Sequence, residues 1–198
     1  PHSKCITFQV TEDCNLRCSY CYQGCKTHRK MTFETAKAAV DMLLAADERT
    51  NRYITSTETA GVVLDFIGGE PLLEVELVDQ ILSYFVEQVF RLHHPWATRW
   101  KASMSTNGTL CFRPEVQRFL EKWADHLSLS VSIDGDKQLH DSCRVFPDGS
   151  GSYDLAIAAA KDYMTKGNAL GSKMTIAPGN VDYLYHAVIG LLDAGYRA

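Results

Sequence analysis

Apolar and polar positions alternate along the chain in two rhythms that take turns. Residues 4–10 (KCITFQV) alternate one by one and are rich in strand formers, so they predict a strand. From residue 32 to 49 the apolar positions Phe33, Ala36, Val40, Leu43 and Leu44 share one helical stripe. Thr32 stands at the N-cap and Glu34 in the first turn. A polar stretch over 50–59 predicts a loop, and the apolar run 61–67 (GVVLDFI), stopped by Gly68 and Gly69, predicts a buried strand.

The same alternation then recurs. Helices are predicted over 73–92 and 113–124, the second with Pro114 in its first turn, and strands over 100–106 and 127–133. A loop rich in Asp and Gly follows, then a helix over 153–166 stopped by Gly167, a strand over 173–177 and a helix over 181–194 stopped by Gly195. Five strand-to-helix alternations predict an α/β fold: a parallel sheet with right-handed crossovers and helices outside it. An open doubly wound sheet and a barrel both satisfy this pattern.

Composition narrows the class. The 198 residues are 45% hydrophobic and 22% charged, as in an ordinary globular domain, and no apolar run reaches the length of a membrane span. The N-terminus lacks a signal peptide's pattern, so the expected location is cytoplasmic. A net charge of −4 offers no general surface for nucleic acid and favours a small-molecule or peptide substrate.

Four of the seven cysteines crowd between positions 14 and 25, a distribution that suits metal binding better than a disulfide framework. Cys14, Cys18 and Cys21 lie at a spacing that lets one loop present three sulfurs to three corners of an iron–sulfur cluster. The fourth iron is then open to an exogenous chelating group. A tetrahedral zinc site completed by His28 is the alternative. Cys5, Cys111 and Cys143 read as core or incidental thiols, and Cys25 as a loop thiol near the cluster.

The CxxxCxxC loop, with Tyr20 before its third cysteine and placed after the first strand, resembles the radical S-adenosylmethionine (SAM) superfamily. Gly68-Gly69-Glu70-Pro71 after the second strand matches that family's GGEP motif. The resemblance implies a partial (β/α)6 barrel, a [4Fe–4S] cluster on Cys14, Cys18 and Cys21, and SAM on the unique iron. Glycines 68 and 69 would let the backbone approach a ligand, Glu70 would accept from the SAM ammonium, and Tyr20 would lie beside the adenine. Asn107, at the end of the third strand, matches a further ligand position. The run SVSIDG…HDSCR resembles that of peptide and sulfatase maturases, which implies SAM contacts for Ser132, Asp134 and Arg144.

Within the superfamily the motifs resemble SPASM-type maturases, and Gln23-Gly24-Cys25-Lys26 most resembles maturases of Cys-repeat peptides that install thioether crosslinks. Implied partners are a precursor peptide and a flavodoxin- or ferredoxin-type electron donor. Ile67 departs from the His or Gln often found before the family's glycines. On this resemblance residues 1–198 form one radical SAM core domain of about five β/α units, without the family's sixth strand and C-terminal SPASM-like domain. Two alternatives stand beside thioether formation: a sulfatase-type formylglycine maturase, and a non-enzymatic zinc or Fe–S module that recruits a peptide. No residue is assigned a catalytic role beyond cofactor binding.

Overall fold

The computed structural model describes residues 4–45, 61–168, 170–176 and 180–196. Among these residues five strands form a single all-parallel sheet: β1 (Lys4–Thr11), β2 (Val62–Gly68), β3 (Trp100–Thr106), β4 (Leu127–Val131) and β5 (Gly171–Ser172). Their spatial order is their chain order. A doubly wound sheet reverses direction at a switch point, whereas winding that never reverses is that of a barrel wall. The strand order therefore settles what periodicity left open, in favour of a partial barrel.

Among the described residues six α-helices connect and cover the strands: α1 (Phe33–Leu44), α2 (Val75–Arg91), α3 (Pro114–Lys122), α4 (Lys137–Cys143), α5 (Tyr153–Thr165) and α6 (Leu184–Asp193). Alternate strand residues, among them Phe8, Val10, Leu64, Phe66, Ala102, Met104, Leu129 and Val131, are buried with Val40, Ile81, Phe85, Phe119 and Ala160 from the helices. Aromatic pairs anchor this core. Phe8 stacks on Phe66 with centroids 5.6 Å apart, and Trp100 meets Phe85 and Trp123 edge-on at 5.5 and 6.0 Å. On the opposite face of the sheet, Thr7, Asp65 and Ser103 lie in register and link by side-chain hydrogen bonds.

Local signals account for most boundaries. Thr32 caps α1 by accepting from Thr35 N–H at 3.2 Å, and Pro114 opens α3. Gly167 and Gly195 end their helices at φ of 84° and 99°, where a side chain would be strained. The expected loop at 50–59 and the last residues of the first expected helix lie outside the described residues.

Two expectations differ from the structure. The stretch after β4 is not all loop: α4 forms there, capped by Asp136 accepting from Leu139 N–H at 2.9 Å. The strand expected at 173–177 is displaced to β5, and described residues 173–176 have left the sheet. The physical reason is Thr175, whose N–H goes to the Asp134 carboxylate at 3.0 Å instead of to a neighbouring strand. Among the described residues no helix is long and apolar enough to cross a membrane.

Candidate cofactor-binding site

All five strands point their carboxyl ends to one edge, and the cysteine loop starts there. Thr11 ends β1 and accepts from Asp13 N–H at 3.0 Å, and Asp13 in turn accepts from Cys14 N–H at 2.8 Å. The turn after β2 continues this edge. Gly69 N–H donates to Thr11 O at 3.0 Å and Glu70 N–H to Asp13 O at 2.8 Å. A Cβ on Gly69 would stand 2.2 Å from Asp13 O and 2.9 Å from Cys14 Cβ, and one on Gly68 would stand 2.7 Å from Thr11 O. These glycines let the backbone approach the cysteine loop closely.

The far side of the loop is held by the last residue of α4 and the segment after it. Arg17 N–H donates to Val145 O at 2.7 Å and Ser19 N–H to Cys143 O at 3.0 Å. Cys14 is buried, and Cys18 and Cys21 are half-buried. Donors converge on the sulfurs: Leu16 N–H at 3.4 Å and Asn107 Nδ2 at 3.9 Å from Cys14 Sγ, and Lys26 Nζ at 2.9 Å from Cys21 Sγ. Burial pushes the Cys14 and Cys18 thiols up, so a thiolate at either calls for a compensating positive charge. His28 is not drawn into the sulfurs; its Nδ1 pairs with Asp13 at 2.8 Å.

Glu70 is 1% exposed and spends its carboxylate inside the protein. It accepts from Leu72 N–H at 3.0 Å, Thr106 Oγ1 at 2.7 Å and Asn107 N–H at 2.8 Å, which ties the end of β2 to the end of β3. Burial pushes its carboxyl up against the pull of those donors. Asn107 carries the tie onward: its Nδ2 donates to Asn15 Oδ1 at 2.9 Å, and its Oδ1 accepts from Thr109 N–H and Oγ1 at 3.0 and 2.7 Å. Cys14, Glu70 and Asn107 therefore share one network.

A second network gathers Tyr20, Asp134 and Arg144. The Arg144 guanidinium pairs with Asp134 through Nε at 2.8 Å and Nη2 at 3.4 Å, and lies 5.4 Å from the Tyr20 ring centroid. The Tyr20 hydroxyl donates to the same carboxylate, and burial raises its pKa. Ser132 joins the two networks through the backbone, its N–H donating to Thr106 O at 2.9 Å, while its side chain stays half-exposed.

Sequence reasoning does not reach His140 and Ser152, yet they brace the second network. His140 Nδ1 accepts from Asp134 N–H at 3.3 Å, its Nε2 faces Ser152 Oγ at 3.0 Å, and Ser152 Oγ donates to Arg144 O at 2.7 Å. This pattern assigns the proton to Nε2 of a neutral ring. Burial, then the Arg144 charge, pushes the His140 pKa down to about 4. The one signal of it in the sequence is the position of His140 inside the HDSCR run.

The residues present fit a cluster and a polar ligand beside it. Two of the loop's three sulfurs, those of Cys14 and Cys21, receive N–H donors, as cluster sulfurs do, and the arginine retains donors that Asp134 does not use. Of the other thiols, Cys111 is buried as expected, Cys143 is half-buried, and Cys5 is exposed on β1, not part of the core.

Comparison with known proteins agrees with this geometry. The family model of the Radical SAM superfamily matches residues 8–182. An uncharacterized protein, MJ0907, of Methanocaldococcus jannaschii is 30% identical over 195 residues, 98% of this chain and 60% of its own length. Fe-coproporphyrin III synthase of Methanosarcina barkeri is 26% identical over 179 residues, 89% of this chain and 38% of its own length. The solved structure of anSMEcpe with bound AdoMet and the Cp18Cys peptide superposes with a TM-score of 0.75 at 19% identity, covering 99% of this chain and 49% of that one. The chain thus spans between 38% and 60% of the length of these relatives.

Proposed function

The chain belongs to the radical SAM superfamily, and from that premise we propose that Cys14, Cys18 and Cys21 hold a [4Fe–4S] cluster beside a SAM site for work on a ribosomally made precursor peptide. When both groups are bound, the chemistry they supply is reductive cleavage of SAM to methionine and a 5′-deoxyadenosyl radical, which takes a hydrogen atom from the substrate. The protein's share is to bind, orient and exclude water.

The observation that carries this reading is the seating of the three-cysteine loop on the strand ends: Gly69 and Glu70 after β2 donate to Thr11 O and Asp13 O at its start, Asn107 after β3 donates to Cys14 Sγ, and Tyr20 donates to Asp134 after β4. A ligand beside the cluster meets the half-exposed Ser132 hydroxyl, the Tyr20 ring and the remaining donors of Arg144. Asp134 holds that guanidinium in place. Glu70 has three internal donors on its carboxylate, so its part in holding the SAM ammonium rests on the one lone pair they leave. Gly68 and Gly69 serve the ligand indirectly, by seating the cysteine loop.

For the product we infer thioether crosslinking, on the resemblance of the Gln23-Gly24-Cys25-Lys26 segment. The sulfatase-type reading shares the SVSIDG…HDSCR run and keeps the same radical chemistry. Family membership does not choose between substrates, since the relatives' names range from a coproporphyrin synthase to an enzyme solved with a peptide.

The experiment is anaerobic reconstitution with iron and sulfide followed by dithionite and SAM. The expected result is 5′-deoxyadenosine and methionine from the wild type and none from a Cys18→Ala variant; no product from a fully loaded protein would overturn the reading. Mass spectrometry of a co-expressed Cys-repeat peptide then separates a loss of two hydrogens from conversion of serine or cysteine to formylglycine. A supply of electrons from a flavodoxin or ferredoxin belongs to the same proposal.

A further inference from the structure

Beyond Cys21 the loop turns through Gln23-Gly24-Cys25 and brings a charge back to the sulfurs. The Lys26 ammonium lies 2.9 Å from Cys21 Sγ and is steadied by Gln23 Oε1 at 3.1 Å. Gly24, at the crest of the turn, is exposed, and among the described residues nothing lies within 4 Å of the place its Cβ would take. The turn is therefore shaped by its two ends and not by packing at its tip. Lys26 is half-buried, whereas Arg29 and Lys30 further along the loop are exposed.

The three donors at the ligand sulfurs are not equivalent. Leu16 N–H and Asn107 Nδ2 are neutral, and both are directed at Cys14. The donor at Cys21 carries a full positive charge. Adding one electron to a thiolate-ligated cluster makes it more negative by one unit, so a fixed cation at a ligand sulfur stabilises the reduced form more than the oxidised form. Hydrogen bonds to cluster sulfurs and net charge are the protein's main controls over cluster potential.

We propose that Lys26 is a positioning residue that raises the reduction potential of the cluster through its charge-assisted hydrogen bond to Cys21. The proposal rests on the reading that Cys14, Cys18 and Cys21 ligate a [4Fe–4S] cluster. It assigns Lys26 no contact with substrate. The competing account is a surface lysine that has found the nearest acceptor, and in that case its charge has no effect on the iron.

The test compares wild type with Lys26→Gln, Lys26→Leu and Lys26→Arg, each reconstituted anaerobically without SAM or peptide. Iron and labile sulfide are counted per chain, and the midpoint potential is read by EPR during titration with dithionite. Both neutral variants are expected to load as much iron and sulfide as wild type and to titrate at a lower potential. Lys26→Arg is expected to recover most of the difference. Equal potentials at equal loading would overturn the proposal, as would loss of the cluster from both neutral variants, which would give Lys26 a purely structural role. A wild type that binds zinc or lacks labile sulfide would defeat the underlying cluster assignment instead, so the two failures are distinguishable.

Discussion

The carboxylate of Glu70 accepts the backbone N–H of Asn107 at 2.8 Å, and this bond, with the one from Thr106 Oγ1, fastens the turn that ends β2 to the end of β3. Replacing Glu70 by Ala leaves three buried donors unmatched, those of Leu72, Thr106 and Asn107. Each unsatisfied group costs about 1–3 kcal/mol, so urea unfolding of the metal-free protein should show a loss of several kcal/mol. Glu70→Gln, which keeps one acceptor oxygen, should lose less. An unchanged midpoint for Glu70→Ala would refute the bracing role.

The Asp134–Arg144 pair is buried on both sides, with side chains 1% and 10% exposed. Removing one partner of such a pair strands a charge and typically costs about 3–5 kcal/mol. Arg144→Met should therefore unfold at clearly lower denaturant than wild type. Arg144→Lys should fall between them, because an ammonium cannot reproduce the forked contact. The double change Asp134→Leu with Arg144→Met should be less harmful than the sum of the single changes, and simple additivity would show that the two groups are not coupled.

His140 gives the fold a pH dependence of defined sign. Its pKa of about 4 lies below the ordinary value of 6.5, so between those limits the unfolded chain binds more protons than the folded one. Its contribution is complete above about pH 6.5 and is lost as the pH falls toward 4, with a slope of at most about 1.4 kcal/mol per pH unit. His140→Gln removes this titration. Stability curves of the two proteins from pH 7 to pH 4 should converge as the pH falls; parallel curves would exclude a neutral buried His140.

Gly69→Ala tests the seating of the cysteine loop, because its Cβ would meet Asp13 O at 2.2 Å. The loop must shift to admit it. Iron and sulfide bound after reconstitution should drop severalfold, whereas Gly24→Ala, which points into open space, should load as wild type does. Equal loading of both variants would mean that the close approach has no bearing on the cluster.

Much of the fold and site is legible in the chain, for a physical reason that differs by region. β3 occupies the predicted residues 100–106, because its alternation is regular and turn residues bound it. The three cysteines and the GGEP turn declare themselves by spacing. What pattern does not reveal is where carboxylates go. Motif position marks Glu70 and Asp134 as ligand contacts; it does not show that Glu70 also accepts from Thr106 and Asn107, 36 and 37 residues on, or Asp134 from Arg144 and Tyr20, 10 and 114 residues away, pairings that only the folded chain creates. The helix α4 escapes detection since its seven residues, KQLHDSC, carry no apolar stripe and follow an Asp- and Gly-rich turn. Pattern misplaces β5 because MTIA has strand composition while Asp134 claims the Thr175 N–H.

The pairing of Arg17 with Val145 and of Ser19 with Cys143 also sets a schedule. A sheet whose spatial order is its chain order can grow at one edge as the polypeptide is synthesised, each unit docking on the one before. The cysteine loop emerges with the first of these units, but the backbone that secures its far side follows about 120 residues later, a wait of roughly 6–25 s at ordinary rates of translation. During that interval the thiols are present without their full enclosure. The loop that is made first is thus secured late, so insertion of iron and sulfur into a secured loop awaits residues 143–145, beyond the fourth strand.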